Sequence, residues 1–375
     1  MLRERFPALA RCTYLNTAGG APIPDAAHAA AAEYYREAYQ QGDVLWNDWM
    51  ARVDGARAEV GGLVGCAPEH VAFTGNASIG LNLAAALDTP GKVAFAEGEF
   101  PSCTLPWLRR GFEPVPWRVR EDGSFDGADV RWALRSGART VVLSWVQFAS
   151  GFRADLPEIA AMCADMGVRL VVDATQGIAA FPLDLETTPV DALVFSGYKW
   201  ITSGYGVAGV ITPHGFAEEG SPFAGWRSQE EPYALVSDRI QATRSGVGAE
   251  AGHPPFPGTF AMGASAALWN RYGPDQAAAH ITGLVHQLLG RLDALGIPIR
   301  STRDPHRLSG IVIAAVSEPA HVAAALAERG IVVSARRGGL RISVHAYNLP
   351  EEVDVLCDAL AGILGRDGAP GLRLV

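Results

Sequence analysis

The sequence predicts a doubly wound α/β domain followed by a smaller α+β unit. Three observations carry that expectation. Short apolar runs alternate with helical stretches from about residue 70 to 212. Those runs show little in/out alternation, which is how strands buried on both faces of a parallel sheet read. After Ile297 the pattern changes to shorter strands and helices.

The elements follow in order. Pro24–Tyr39 and Asp48–Leu63 read as two amphipathic helices. The strand runs are Val71–Thr74, Lys92–Ala96, Thr140–Val146, Arg169–Asp173, Asp191–Ser196 and Val207–Thr212, all rich in Val, Ile, Leu and Phe. Between them Ser78–Leu87, Cys103–Arg110, Ala128–Ser136 and Leu156–Met166 read as helices. Residues 213–262 are loop-rich. Met262 to Leu295 reads as helix, about 50 Å long if continuous, with a break expected at Gly273 and Pro274. Ile311–Val316, Ile331–Ser334 and Leu340–Val344 then read as strands, and Val322–Arg329 and Glu351–Leu364 as helices. The expected division is an N-terminal arm (1–25), a large domain (26–265) and a small C-terminal domain with its linking helix (266–375). Open sheets of this kind bind ligands beyond the carboxyl ends of their strands, so functional residues should follow the strand runs.

Composition narrows the function. The 375 residues are 49% hydrophobic and 19% charged, with a net charge of −9. That is enough apolar surface for a large core, without the broad positive field of a nucleic-acid or anionic-membrane binder. No window approaches 18 apolar residues free of charge, and the first twelve residues hold no uninterrupted apolar stretch, so neither a membrane span nor a secretory signal is expected. The five cysteines are far apart and form no CxxC pair. No metal site is expected, and a reducing cytoplasm is.

The chemistry concentrates between Arg169 and Gly209. Asp173 ends one buried run and Gln176 follows it; Ser196, Tyr198 and Lys199 stand at the end of the next. A lysine just past an apolar strand, followed by Trp200 and Ile201, is drawn toward burial, which disfavours the ammonium. A lysine with a depressed pKa can act as an amine nucleophile toward an aldehyde. A carboxylate on the neighbouring strand end is then placed to meet the far side of a flat cofactor, as at the pyridinium nitrogen of pyridoxal phosphate. Taken singly, Asp173 could cap a helix and Lys199 could be a surface lysine. A second signal joins them: Thr74–Leu81, TGNASIGL, reads as strand, Gly-rich turn and helix N-terminus, which suits a phosphate.

With these residues in view, the sequence resembles the class-V aminotransferase group of fold-type I pyridoxal-phosphate enzymes, which includes cysteine desulfurases, kynureninase and isopenicillin-N-epimerase-like proteins. The resemblance runs from YLNTAGGAPIP at Tyr14 to RISVHAYNLPEEVD at Arg341, and the D-x-x-Q and S-G-x-K pattern has the family's spacing. It implies pyridoxal 5′-phosphate as cofactor, a small amino acid as substrate, and a homodimer with a shared active site. It implies that Lys199 is joined to the cofactor and later moves the Cα proton, that Asp173 keeps the ring nitrogen protonated, and that Gln176 reaches the phenolic oxygen. Ala77, Ser78 and Ser196 would bind phosphate. Tyr198, in place of the desulfurase His, could donate to it as well. Phe100, in EGEFPS, would cover the cofactor face. Thr259, in PGTF, would reach a neighbouring subunit's phosphate, and Trp226, in AGWRS, would also cross the interface. Arg341 would clamp the substrate α-carboxylate, a role that suits a planar guanidinium fork.

The pattern also departs from the family. The stretch VVSARRGGL before Arg341 is short and holds no cysteine, where desulfurases carry a nucleophilic one. Cys103 lies elsewhere and reads as a small apolar helix residue. Phe148 replaces an asparagine of the desulfurases, and Gln147 is the residue that could substitute. The sequence therefore favours β-elimination of the C–S lyase type. Transamination and epimerisation stand as alternatives, desulfuration is disfavoured, and the intact Asp173–Lys199 pair argues against a non-catalytic binding protein.

Overall fold

A computed structural model of the chain describes residues 2–217 and 220–366. In chain order the elements are β1 (Thr13–Tyr14), α1 (Asp25–Gln41), α2 (Trp46–Gly62), β2 (Val71–Thr74), α3 (Ala77–Ala86), β3 (Lys92–Ala96), α4 (Pro101–Arg109), β4 (Glu113–Trp117), α5 (Gly127–Arg135), β5 (Ala138–Ser144), α6 (Leu156–Asp165), β6 (Arg169–Asp173), β7 (Ala192–Ser196) and β8 (Ala208–Ile211). They continue with α7 (Phe256–Tyr272), α8 (Pro274–Ala294), β9 (Ile311–Ala314), α9 (Pro319–Ala327), β10 (Ile331–Val332), β11 (Ser334–Arg336), β12 (Gly339–Ser343) and α10 (Pro350–Arg366).

Seven strands form the main sheet in the order β2-β8-β7-β6-β5-β3-β4. Neighbouring strands from β4 to β7 run parallel, and β8 is antiparallel to both β2 and β7. The continuous apolar runs have their expected cause, since β2, β7 and β8 are buried at every position. Strand β4 is one that hydrophobic patterning overlooks. Its Pro114 and Pro116 break the apolar run and cannot donate to a ladder, so it is confined to the sheet edge, where prolines are tolerated.

The register fixes the site. Ser144 lies opposite Asp173, and Asp173 opposite Val194, so the ends of β5, β6 and β7 come level at the carboxyl edge. Helix α3 packs close over this sheet. A Cβ on Gly80 would sit 2.6 Å from Val210 and 2.9 Å from Val194, so only glycine lets the helix approach.

A smaller antiparallel sheet, β11-β12-β9, is built wholly from residues after 310. The N-terminal segment is stitched to this half of the chain: β1 pairs in parallel with β10, and Leu15 O accepts from Ser343 N at 2.8 Å. Helix α7 starts at Phe256, six residues before the sequence suggests, and the break before α8 falls at Gly273, whose φ of 92° is open to glycine.

Candidate active site

The strand ends of the main sheet and the N-termini of α3 and α4 enclose a cavity of about 170 Å³. Lys199 enters it from just beyond β7, anchored by Trp200 and Ile201, both with no exposed surface. Burial pushes the Lys199 amine down from 10.5 to about 8; Arg341 and Arg336 push the same way, and Asp173 opposes them. The turn that carries it is strained. Thr202 holds a left-handed φ of 60°, a conformation costing of order 1–3 kcal/mol for a non-glycine residue. Helix α7 holds it there: Trp269 Nε1 donates to Thr202 Oγ1 at 3.2 Å, and Ser265 Oγ to Thr202 O at 3.2 Å.

Asp173 lines the cavity from the end of β6 and is buried. Its Oδ1 accepts from Thr175 N at 2.9 Å and its Oδ2 from the Cys103 thiol at 3.5 Å. Gln176 is fixed in orientation. Trp200 Nε1, which can only donate, lies 2.6 Å from Gln176 Oε1, so the amide turns its Nε2 toward Ala18 O at 3.2 Å and the cavity.

At the opposite wall Asn76 caps α3 through Ile79 N at 3.1 Å, and Ala77 and Ser78 bring the first turn of the helix to the cavity. The first N–H groups of a helix lack intrahelical partners, so this wall is an anion acceptor. Ser78 Oγ lies 2.8 Å from Ser102 Oγ. Ser196 and Tyr198 also line the cavity, and the Tyr198 ring stacks on Tyr205 at 4.2 Å. Phe100, edge-on to Phe148 at 5.3 Å, lies with its ring centroid 5.9 Å from Lys199 Nζ.

Arg341 is a buried cation. It is 2% exposed, it donates one bond, to Phe148 O at 3.3 Å, and its Nε and Nη2 are buried without a partner. Burial, with Arg336 adding to it, pushes its guanidinium down to about 10. Buried polar groups are ordinarily satisfied. Two unpaired donors on one planar fork beside Phe148, which lines the cavity, have the chemistry to hold a carboxylate.

Eight of the residues singled out in the sequence therefore share one cavity: Ala77, Ser78, Phe100, Asp173, Gln176, Ser196, Tyr198 and Lys199. Arg341 stands behind Phe148. Trp226 does not join them; it sits in the loop before α7, 5.0 Å from the ring of His253 and 5.8 Å from Tyr233. Thr259 lies in the first turn of α7 with no exposed surface, and its Oγ1 has no hydrogen-bond partner. Gln147 Nε2 donates to Glu99 Oε1 at 2.7 Å.

Sequence reasoning missed Glu99 altogether. This buried carboxylate accepts from Ser144 N (2.9 Å), Ser144 Oγ (2.5 Å), Gln147 Nε2 and Phe100 N (3.1 Å). Desolvation pushes its pKa up. Its place after β3 in EGEFPS was the available signal, but nothing in the sequence marks that carboxylate as buried. Cys103 is more than a small apolar filler, since its thiol bridges Ser144 Oγ (3.6 Å) and Asp173.

The sequence profile of the class-V aminotransferases matches residues 13–356. The chain belongs to that family. Its members are enzymes that use pyridoxal 5′-phosphate. Among curated relatives, the chain is 23% identical to an uncharacterized aminotransferase, YcbU, of Bacillus subtilis, over 96% of each chain. It is 25% identical to a probable cysteine desulfurase of Methanothermobacter thermautotrophicus, over 97% of this chain and 98% of that one. Among solved structures, the apo cysteine desulfurase of Thermococcus onnurineus has a TM-score of 0.87 at 23% identity, covering 97% of this chain and 98% of that one. The cystine C–S lyase C-DES, solved with its product cysteine persulfide, has a TM-score of 0.84 at 23% identity, covering 95% and 99%. These likenesses establish the fold-type I architecture for this class-V enzyme. Among the described residues no helix is long and apolar enough to cross a membrane, and no cluster of His, Cys, Asp and Glu could hold a metal ion.

Proposed function

We propose that this class-V enzyme is a carbon–sulfur β-lyase acting on an S-substituted L-cysteine. The residues present fit the cofactor. The cavity offers a partly deprotonated amine, a buried carboxylate and a helix N-terminus on separate walls, and the two orphaned donors of Arg341 lie alongside. Lys199 would hold the cofactor aldehyde and, once displaced by the substrate amine, take the proton from Cα. Asp173 would hold a proton at the ring nitrogen, and Gln176 Nε2 would donate to the phenolic oxygen. Ala77, Ser78, Ser196 and Tyr198 would receive the phosphate, and Phe100 would cover the ring. Arg341 would fix the α-carboxylate through its two free donors. Pyridoxal phosphate, when bound, supplies an electron sink for the pair left at Cα.

The observation that carries elimination over sulfur transfer is the hairpin of β11 and β12. It leads into Arg341 with arginines and no cysteine, and the thiol nearest the site, Cys103, has no exposed surface and is pushed up by burial. Without an accepting thiol, the sulfur departs with its substituent. The overall change is S-substituted cysteine plus water giving thiol, pyruvate and ammonia. We further propose a homodimer in which Trp226 of a second copy reaches this cavity, a division into arm, large domain and small domain with Arg341 delivered by the small one, and a cytoplasmic setting suited to five unpaired thiols.

Incubating the purified, cofactor-loaded enzyme with S-substituted cysteines tests the reading. Thiol, pyruvate and ammonia in equal amounts are expected. Substrate consumed without thiol release, or exchange of the Cα hydrogen alone, would overturn it in favour of transamination or epimerisation.

A further inference from the structure

We propose that Arg336 reads a second anionic group on the substrate, so that this site prefers S-substituted cysteines whose sulfur substituent ends in a carboxylate or comparable anion, with the acidic amino acids as simple binding probes. The inference rests on the reading above that Arg341 holds the α-carboxylate.

Hairpin register places the two arginines together. Ser334 pairs with Arg341, and Arg336 with Gly339. Residues two apart on a strand share a face, so Ser334, Arg336 and Arg341 point the same way. Arg336 and Arg341 are diagonal cross-strand neighbours, a relation that puts their Cβ atoms about 7–8 Å apart or less. Arg341 is the buried end of this pair and Arg336 the exposed end. Charge from Arg336 acts on both Arg341 and Lys199, so it lies within electrostatic reach of the reacting centre.

Arg336 also lacks a protein counterion. Its Nη1 donates to Ala335 O at 2.9 Å, and it makes no ion pair among the described residues. Glu318 shares the shallow cleft beside it without pairing to it. Two further arginines crowd the same turn: Arg337, and Arg300, whose Nη1 would lie 3.1 Å from a Cβ on Gly338. Neither makes an ion pair among the described residues. In a chain of net charge −9, Arg300, Arg336 and Arg337 stand exposed around one turn without an ion pair among the described residues, a local positive patch next to the buried Arg341. The α-carboxylate answers Arg341. A distal anion on the same substrate answers Arg336.

The test measures binding and needs no particular reaction. Cofactor-loaded enzyme is titrated with L-glutamate against L-glutamine, and with L-aspartate against L-asparagine, following cofactor absorbance. The wild type should bind the acid at least about tenfold more tightly than its amide, the size of one charge-assisted contact at a partly wet position. Arg336→Gln should bring that ratio close to one. Arg336→Lys should keep part of the preference, and Arg337→Gln should keep it whole. Equal affinities in the wild type, or a ratio that survives Arg336→Gln, would overturn the proposal alone. A loaded enzyme whose absorbance responds to none of the four amino acids would overturn the amino-acid site itself, and this inference with it.

Discussion

Lys199 should capture an aldehyde at a pH where an ordinary lysine scarcely reacts. Its amine titrates near 8, against 10.5 for a free lysine side chain. At pH 7 about one such amine in ten is unprotonated, compared with roughly one in 3,000 at the ordinary value. The cofactor-free protein should therefore take up pyridoxal phosphate at a rate that climbs tenfold per pH unit below about 8 and levels above it. Stopped-flow absorbance reads this directly. Two substitutions then move the midpoint in opposite directions. Asp173 raises the Lys199 pKa, so Asp173→Asn should shift the midpoint down; Arg336 lowers it, so Arg336→Gln should shift it up. A general loosening of the site would move both the same way. A wild-type midpoint near 10, or parallel shifts in the two variants, would refute the account of how this amine is tuned.

The same shift has a consequence for stability, and its sign is the reverse of the usual case for a paired lysine. The folded-state pKa lies below the unfolded one, so between about pH 8 and 10.5 the unfolded chain binds more protons. Stability then rises with pH across that window, and below it the buried charge costs on the order of 3 kcal/mol. Lys199→Met should make the cofactor-free protein more resistant to urea at pH 7, with an advantage that shrinks toward pH 10.

Three further outcomes are expected. Arg341→Met should stabilise the cofactor-free protein by about 1–3 kcal/mol, because it removes two buried unpaired donors and keeps the stem volume, while weakening amino-acid binding by about 100-fold; urea denaturation and absorbance titration read the two effects. Trp200→Phe frees Gln176 Oε1 and should shift the cofactor absorbance and lower kcat with KM little changed. Cys103→Ala should retain turnover, and thiol alkylation should leave pyruvate release intact, since no thiol takes the sulfur; alanine formed from L-cysteine, and lost on alkylation, would revive the desulfurase alternative.

Much of this site was legible because it hangs on strand ends. Asp173, Ser196 and Lys199 each follow an apolar run, and a parallel register levels such ends automatically. The helix at Ser78 was legible for the same reason, as a Gly-rich turn leaving a buried strand. What escaped depends on contacts between distant segments. Glu99 reads as one more polar residue in a turn until Ser144, Gln147 and Phe100 are seen to surround it. The start of α7 was missed because PGTF looks like loop, yet proline is well tolerated in the first turn of a helix, and α7 starts there. Strand β4 was lost because its prolines defeat an apolar pattern while leaving an edge position open.

The proposed reaction asks for the amine at 199 and the guanidinium at 341 to be held in fixed relation, although one follows β7 of the main sheet and the other lies in β12 of the small one. The chain meets that demand with a stretch directly after Arg341. His345 is fully buried; its Nδ1 accepts from Ala346 N at 2.8 Å, so its Nε2–H donates to Trp200 O at 2.9 Å, one residue from the amine. Burial pushes this imidazole down to about 3, so the bond keeps its direction across any pH at which Lys199 works. Asn348 extends the clamp by donating to Tyr14 O at 3.0 Å, and the N-terminal segment returns it to the cavity, where Ala18 O receives Gln176 and Ala21 N donates to Tyr198 O at 2.8 Å. Arg341 itself closes the circuit through Phe148 O. Apart from the charged Arg341 bond, the links through His345, Asn348, Ala18 and Ala21 join neutral groups, so they keep their geometry while the charges between them change.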